Sequence, residues 1–200
     1  MNTGIVSAVL LCVALAVFPA VAGAASGGGG ERVSLSAPDK SGGKPLMQAL
    51  ALRASNRDIS AKPVSEQDVS NIVWAAWGVN RPDGKRTVPT ARNTQSASLF
   101  VVKADGVWRY EAEKHELVKV LGEDMRSRFS DAPLTLIYAA EENKYAGMHV
   151  GSMYQNVGLY CASAGLANVV KATGVDVLQG KLSLPAKYSI QIVQLVGLPD

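Results

Sequence analysis

Cysteine and histidine are scarce in this 200-residue chain, which contains two of each. Cys12 lies in an apolar N-terminal run, and if that run is removed Cys161 has no partner for an internal disulfide. We therefore expect side-chain packing, without a disulfide, to stabilise the fold, and we interpret Cys161 as a packing residue. His115 and His149 have no cysteine, histidine or paired carboxylate at metal-ligand spacing, so the sequence predicts no metal site.

An excess of charge of one sign is also lacking, since 20 Lys and Arg stand against 17 Asp and Glu, which gives a net charge of +3. The basic residues are scattered along the chain, and the sequence therefore predicts no nucleic-acid surface. Hydrophobic residues make up 48% of the chain, which is enough to form the core of one domain of ordinary size.

The N-terminal segment has the pattern of an export signal. Ile5 to Ala22 is uncharged and almost wholly apolar, and Ala22-Gly23-Ala24 fits the cleavage rule of small residues. We expect a signal peptide at residues 1–24 and an exported, periplasmic protein. No Lys or Arg precedes the run, and its length is near the lower limit for a bilayer span, so a membrane anchor formed by an uncleaved leader is the alternative. The Gly- and Ser-rich composition of residues 25–44 predicts a flexible leader, which precedes a single domain at 45–200.

A stretch without charge that begins at Ser152 organises the rest of the chain. Ser152 and Gln155 fit a capping box and Gly165 fits a C-terminal stop, which predicts a helix with both ends marked. Apolar or small residues on every side predict that other elements enclose it. Gly158, Ala162 and Gly165 form a stripe of small residues, which either another backbone or a flat ligand could approach closely.

The other periodic segments mix helices and strands without a regular βαβ repeat, which predicts an α+β fold. The predicted helices are residues 45–53, 65–78 and 115–121, with a shorter stretch near 176–180. The predicted strands are residues 99–104 and 107–110, joined at Asp105-Gly106, together with 134–140, 168–170 and 189–197.

Two polar segments are candidates for a site. Arg53-Ala54-Ser55-Asn56-Arg57 places two guanidinium groups and a hydroxyl within one short turn, and such groups bind phosphate well. A solvated cap of the preceding helix is the alternative. Residues 79–96 are long, polar and rich in turn formers, as is typical of functional or mobile loops.

Taken together, these segments resemble the flavin-dependent nitroreductase superfamily, and more closely its branch related to the SagB-type dehydrogenases. Residues 53–57 resemble the family's Arg-x-Ser-x-Arg flavin motif, and residues 86–93 resemble the branch's Arg-Thr-x-Pro-Ser-Ala loop. Residues 72–81 are similar to the branch's helix and its exit, and residues 155–166 to its Gln-Asn helix. The resemblance extends over residues 46–199 and implies a nitroreductase-like fold, with an antiparallel-rich central sheet flanked by helices around a central apolar helix.

The resemblance also implies a homodimer with two flavin mononucleotide (FMN) sites at the subunit interface. Arg53 and Ser55 would hold the phosphate and ribityl end. Arg57 would lie near the pyrimidine edge of the ring as the flavin-polarising cation, where positive charge favours reduced flavin. Many relatives hold the phosphate with a further cation in a C-terminal tail, whereas Gly197 is followed here by Leu198-Pro199-Asp200.

Further cofactor contacts are implied from other parts of the chain. Thr90 stands where the family usually has Ser, which keeps the hydroxyl, and Gly174 would present its N–H to flavin N5. The residues implied to approach the cofactor from the partner subunit are Pro89, Thr90, Ala91 and Asn93.

The activity implied by the resemblance is transfer of a hydride or electrons from a reduced donor to an organic acceptor by ping-pong exchange at flavin N5. The acceptor would be a small molecule such as a nitro compound or a quinone, and the donor NAD(P)H or a redox protein. The alternative is an exported dimer that binds flavin or another planar ligand with little or no turnover and serves a partner redox protein. We interpret His149 as a loop or cap residue, with proton donation to a substrate as the alternative.

Overall fold

The structure is a computed structural model that describes residues 1, 30–172, 174–178 and 180–200. Apart from Met1, the predicted signal peptide lies outside these residues. Within the described ranges, no helix combines the length and the hydropathy needed to cross a bilayer.

Seven strands form one sheet in which every neighbouring pair is antiparallel, in the order β1-β4-β3-β2-β5-β7-β6. The strands are β1 Arg32–Ser34, β2 Ala97–Lys103, β3 Gly106–Glu111, β4 Glu116–Leu121, β5 Leu134–Glu141, β6 Ala167–Lys171 and β7 Tyr188–Gly197. The helices are α1 Leu46–Leu52, α2 Glu66–Trp77 and α3 Ala146–Ala164, with short 3-10 turns at Ala91–Asn93, Arg126–Phe129 and Asp176–Leu178. The predicted α+β fold is confirmed.

The sheet has an apolar core on each face. Side chains alternate along a strand, and in β2 Leu99 and Val101 join the core beneath α2 and α3, whereas Phe100 and Val102 join the core on the opposite face. Because both faces are covered, the inner strand β5 is buried over seven of its eight residues. This burial explains why its sequence is largely apolar, with Thr135 as the one buried exception and Glu141 at the half-buried end.

Several predicted boundaries are confirmed. The Ser65 hydroxyl accepts a hydrogen bond from the Asp68 N–H at 3.0 Å and caps α2, which ends before Gly78. The predicted hairpin joins β2 to β3, although its turn is centred one residue earlier than expected, since Gly106 already pairs with Lys103.

The predicted start of the central helix is wrong. Helix α3 begins at Ala146, after a turn in which the Asn143 side chain accepts from the Tyr145 N–H at 2.8 Å. Ser152 lies inside the helix, where its hydroxyl donates to the Met148 carbonyl at 3.0 Å instead of capping a terminus.

The predicted end of α3 is confirmed, because Gly165 takes the left-handed conformation with φ of 78°. The expectation that α3 is enclosed on every side does not hold for the single chain. Val150, Met153 and Val157 are buried, but Met148 is 67% exposed and Gln155 is exposed.

Residues 115–121 were predicted as a helix, but Glu116–Leu121 form strand β4 instead. His115 has φ of 52°, and this left-handed conformation turns the chain just before Glu116. The following residues then pair with β3 on one side and β1 on the other. The pairing supplies backbone partners that a local pattern does not reveal.

The leader predicted at 25–44 is ordered from β1 onwards, which corrects the assignment of a flexible leader for this part. The Asp39 N–H donates to the Asn71 side chain at 2.8 Å, and the Lys44 N–H donates to the Ser163 hydroxyl at 2.6 Å. Residues 32–44 therefore belong to the folded domain.

Candidate functional site

Residues 53–57 leave α1 and run beside the edge strand β6. The Asn56 N–H donates to the Asn168 carbonyl of β6 at 2.8 Å, and the Ser60 N–H donates to the Leu198 carbonyl at 2.9 Å. Backbone hydrogen bonds thus fix the course of the segment along the sheet edge. This course determines where the side chains of Arg53, Ser55 and Arg57 are held.

The Arg53 side chain lies across α3 at Gly158. A Cβ atom placed on Gly158 would lie 3.7 Å from Arg53 Cγ and 3.8 Å from Arg53 Cδ. The small residue therefore lets the aliphatic part of Arg53 lie against the helix, while the residue as a whole stays exposed. This contact accounts for one position of the stripe of small residues.

The predicted anion-binding groups are available to a ligand. Arg53, Ser55 and Arg57 are all exposed. Among the described residues, neither guanidinium group forms an ion pair with a carboxylate. Two unpaired guanidinium groups and a hydroxyl on one short segment fit the phosphate and the electron-rich edge of a flavin.

A cavity of about 410 Å³ opens beside this segment. Ala54 and Asn56 line it, whereas none of Arg53, Ser55 and Arg57 does. The remaining stripe residues, Ala162 and Gly165, also line this cavity, together with Cys161. The C-terminal half of α3 therefore presents its small residues to open space as well as to Arg53.

Cys161 is fully buried, and burial raises the pKa of its thiol to about 12. The thiol is consequently neutral near pH 7 and is not poised as a nucleophile. Its interpretation as a packing residue agrees with this geometry.

The Arg86 side chain joins the second candidate segment to α2 and to the turn that follows β3. Its Nε donates to Gln95 Oε1 at 2.9 Å, its Nη2 pairs with Glu113, and its guanidinium group lies 5.3 Å from the Trp77 ring centroid. The residue is only 7% exposed. A planar side chain with several fixed donors is suited to such a junction.

Inside this loop, polar contacts fix the residues from Thr90 to Gln95. The Thr90 hydroxyl accepts from the Gln95 N–H at 3.0 Å, which gives the threonine hydroxyl a structural partner. Arg92, Asn93 and Gln95 have φ of 54°, 54° and 48°. Left-handed backbone costs a non-glycine residue on the order of 1 kcal/mol, so the turn depends on the contacts around it.

The Ala91 N–H donates to His149 Nε2 at 2.8 Å and joins this loop to the first turn of α3. His149 is 4% exposed, and burial lowers the pKa of its imidazole. Its ring stacks on Tyr145 at 6.3 Å between centroids and 19° between planes. The interpretation of His149 as a loop or cap residue is therefore wrong, since the residue lies within the helix and is bonded to the loop.

The structure separates the predicted site residues into three groups. Arg53 contacts α3 at Gly158, and the loop contacts α3 at His149. His149 and Gly158 are nine positions apart in the helix, which corresponds to about 14 Å along its axis. The first group is Arg53, Ser55 and Arg57, and the second is Pro89, Thr90, Ala91 and Asn93.

Gly174 is the third group. It follows β6 with φ of 86°, and an added Cβ would lie 3.1 Å from the Phe129 ring, in the core on the opposite face of the sheet. The positive φ explains why glycine occupies this position. One chain therefore does not bring all of the predicted contacts into a single pocket.

Sequence patterns did not indicate three residues that shape the loop. Arg86 was noted only as part of a motif, and no pattern pointed to Gln95 or to a contact between His149 and Ala91. A single histidine in the first turn of a helix carries no signal of its partner, because the partner lies 58 positions away in the chain.

Comparisons with known proteins agree with this architecture. The sequence model of the Nitroreductase family matches residues 50–198. A protein of Methanocaldococcus jannaschii named as a nitroreductase is 30% identical over 151 residues, which cover 62% of this chain and 76% of that protein.

Solved structures share the fold. One from Ralstonia eutropha, named as a nitroreductase, has a TM-score of 0.77 and 30% identity, and the match covers 84% of this chain and 90% of that one. Another, from Desulfovibrio desulfuricans, is named as a nitroreductase in complex with FMN. It has a TM-score of 0.54 and 20% identity, with coverage of 78% and 87%.

Proposed function

Because this chain belongs to the nitroreductase family, we propose that it is an FMN-dependent oxidoreductase that moves a hydride or electrons from a reduced donor to an organic acceptor. The observation that carries the proposal is the pair of exposed guanidinium groups, Arg53 and Arg57, on the backbone segment fixed along β6. An FMN complex of a protein with the same fold gives further support.

In this proposal the chain's own residues bind and orient the cofactor. Arg53 and Ser55 hold the phosphate and ribityl end, and Arg57 places positive charge near the pyrimidine edge. Gly174, free of a side chain at positive φ, offers its backbone N–H. When bound, FMN supplies the hydride chemistry, and no protein side chain is required as a nucleophile.

The separation of the site residues favours a homodimer in which each FMN contacts two chains. The loop residues Pro89, Thr90, Ala91 and Asn93 of one chain then complete the site of the other. Apolar surface is available for such an interface, because Leu46, Met47, Leu50 and Leu52 of α1 and Met148 of α3 are 45–74% exposed. Burial of such surface contributes about 25 cal/mol per Å².

The finer assignments rest on sequence patterns. Residues 86–93 favour the branch related to the SagB-type dehydrogenases. The apolar N-terminal run favours export to the periplasm, with an uncleaved leader as the alternative. In that compartment a redox protein would replace NAD(P)H as donor, and nitro compounds, quinones or similar molecules are the proposed acceptors.

The first test is the visible absorption spectrum of the purified protein after incubation with FMN and desalting. Retained flavin bands are expected, and a folded protein that retains none contradicts the proposal. If the bound flavin is reduced by dithionite but is then reoxidised by neither a nitro compound nor a quinone, the result favours the second candidate, a flavin-binding dimer that serves a partner redox protein.

A second test compares Arg57→Gln with Arg57→Lys. Loss of the cation should slow flavin reduction on the order of tenfold to a hundredfold with a smaller loss of FMN affinity, because the charge acts on the reduced form. Lysine should restore much of the rate. Equal reduction rates in the wild type and Arg57→Gln would contradict the role of Arg57.

A further inference from the structure

We propose that His149 is a positioning residue, whose neutral imidazole fixes the backbone of Ala91 and thereby sets the conformation of the loop formed by residues 89–95. Its importance for FMN rests on the function proposed above, in which this loop faces the cofactor of the partner subunit. Its effect on the loop itself does not depend on that function.

The hydrogen bond between Ala91 and His149 defines the protonation state of the ring. Because Nε2 accepts the Ala91 N–H at 2.8 Å, Nε2 carries no proton and the neutral ring is protonated at Nδ1. Protonation of Nε2 would place two donors against each other and break this contact.

The second ring nitrogen, Nδ1, indicates that position 149 holds a histidine because of the contact with Ala91. His149 Nδ1 is buried and has no hydrogen-bond partner among the described residues. A buried, unpaired N–H is unfavourable, and an apolar side chain at position 149 would avoid it. The imidazole is unfavourable in this respect, and the one specific interaction that it provides is the acceptor Nε2 for the Ala91 N–H.

The anchor is rigid and the attached loop is strained. His149 lies in the first turn of the 19-residue helix α3 and stacks on Tyr145. Arg92, Asn93 and Gln95 hold left-handed backbone conformations. Strained conformations of this kind persist only where surrounding contacts fix them. The Thr90 hydroxyl fixes one end of the turn through Gln95, and His149 fixes the turn to the helix.

The surroundings of His149 favour the neutral imidazole. His149 shares a cavity of about 330 Å³ with Arg92 of the loop and with Lys144 and Tyr145, which precede α3. Among the described residues, no carboxylate lines this cavity. Burial lowers the pKa of His149. The loop anchor is therefore intact at neutral pH and weakens as the pH falls through the pKa of His149, which lies below the ordinary value for histidine.

The test compares His149→Gln with His149→Phe in the full chain. Glutamine retains an acceptor, and phenylalanine retains a flat ring against Tyr145 but has no acceptor. The amide protection factor of Ala91, measured by hydrogen exchange with NMR detection, should fall about tenfold in His149→Phe and stay near the wild-type value in His149→Gln. FMN affinity should follow the same order.

A pH series adds a readout that a purely structural role would not change. In the wild type, the Ala91 protection factor should fall as the pH is lowered from 7 through the lowered pKa of His149, and His149→Gln should abolish this dependence. If His149→Phe does not fold, the pH series and the glutamine variant decide the outcome. An Ala91 protection factor that is independent of both pH and the acceptor would overturn the proposal. If the wild type binds no FMN but Ala91 responds as expected, the proposed function fails and the positioning role stands.

Discussion

Arg53 and Gly158 form a close pair, in which the aliphatic part of the arginine lies on the bare backbone of α3. The glycine is buried in the middle of a helix, where this residue is otherwise unfavourable. The cation proposed to bind the phosphate thus lies where α3 has no side chain opposite it. The pair connects packing on α3 directly with the proposed phosphate contact.

This relationship predicts opposite effects for two substitutions at Gly158. In Gly158→Ala the new Cβ makes only ordinary contacts at 3.7–3.8 Å, so higher helix propensity should stabilise the protein by about 0.5–1 kcal/mol. Gly158→Leu should displace Arg53 and weaken FMN binding about tenfold or more. Urea unfolding and FMN titration measure the two effects. Gly147→Ala, at an open position on the same helix, is the control and should leave FMN affinity unchanged.

The exposed apolar face of α1 predicts an effect on assembly. The double substitution Met47→Glu with Leu50→Glu places charges on residues that are 74% and 45% exposed in the single chain. Sedimentation should change from dimer to monomer, because burial of two unpaired carboxylates is strongly unfavourable. Val33→Glu, on an exposed residue of β1, should leave the dimer intact. A double variant that stays dimeric would exclude α1 from the interface.

A buried polar chain beneath the site predicts a loss of stability. Tyr138 donates to Gln194 Oε1 at 2.6 Å, and Gln194 Nε2 donates to Asn168 Oδ1 at 2.9 Å. Gln194→Leu leaves both neighbours unpaired and should cost roughly 2–4 kcal/mol in the free energy of unfolding. Gln191→Leu, at a half-buried position of the same strand, should change it far less. Equal losses in the two variants would contradict the contribution of the buried chain.

The lowered pKa of His115 predicts a pH dependence of stability. Burial is the main cause, and Nδ1 lies 2.8 Å from the Tyr110 hydroxyl, which donates to it when the ring is neutral. The pKa of His115 is lower in the folded state than its value of about 6.5 in the unfolded state. The neutral ring therefore contributes to the free energy of unfolding above about pH 6.5, and this contribution is lost as the pH falls through the folded-state pKa. Urea midpoints should therefore decrease from pH 7 to pH 5. His115→Gln should have a smaller decrease, and an unchanged slope would assign the effect to other groups.

Local sequence signals predicted the elements whose ends are determined by nearby residues. Ser65 and Gly165 cap their helices through contacts within a few positions, so the capping patterns were sufficient. The Ser152 pattern gave a wrong helix start because it is also purely local. A serine followed three residues later by glutamine also occurs inside a helix, and the real start depends on the Asn143 turn.

Features held by distant contacts could not be predicted from the sequence. Strand β4 requires β1 and β3 on its two sides, and residues 32–44 become ordered through Asn71 and Ser163. The candidate site was predicted as segments rather than as a pocket. Two groups of its members lie at separate positions on α3, which is the arrangement that the proposed dimeric site requires.

The segment that carries Arg53 and Arg57 also covers the edge of the sheet. Asn56 bonds to β6, and Ile59 bridges to Pro199 beyond the end of β7. If the segment detached, β6 would present unpaired N–H and C=O groups, which are a template for strand addition by another molecule. Under the proposed function, solubility and FMN binding would therefore depend on the same few residues, and FMN bound to this segment would also protect the protein against aggregation.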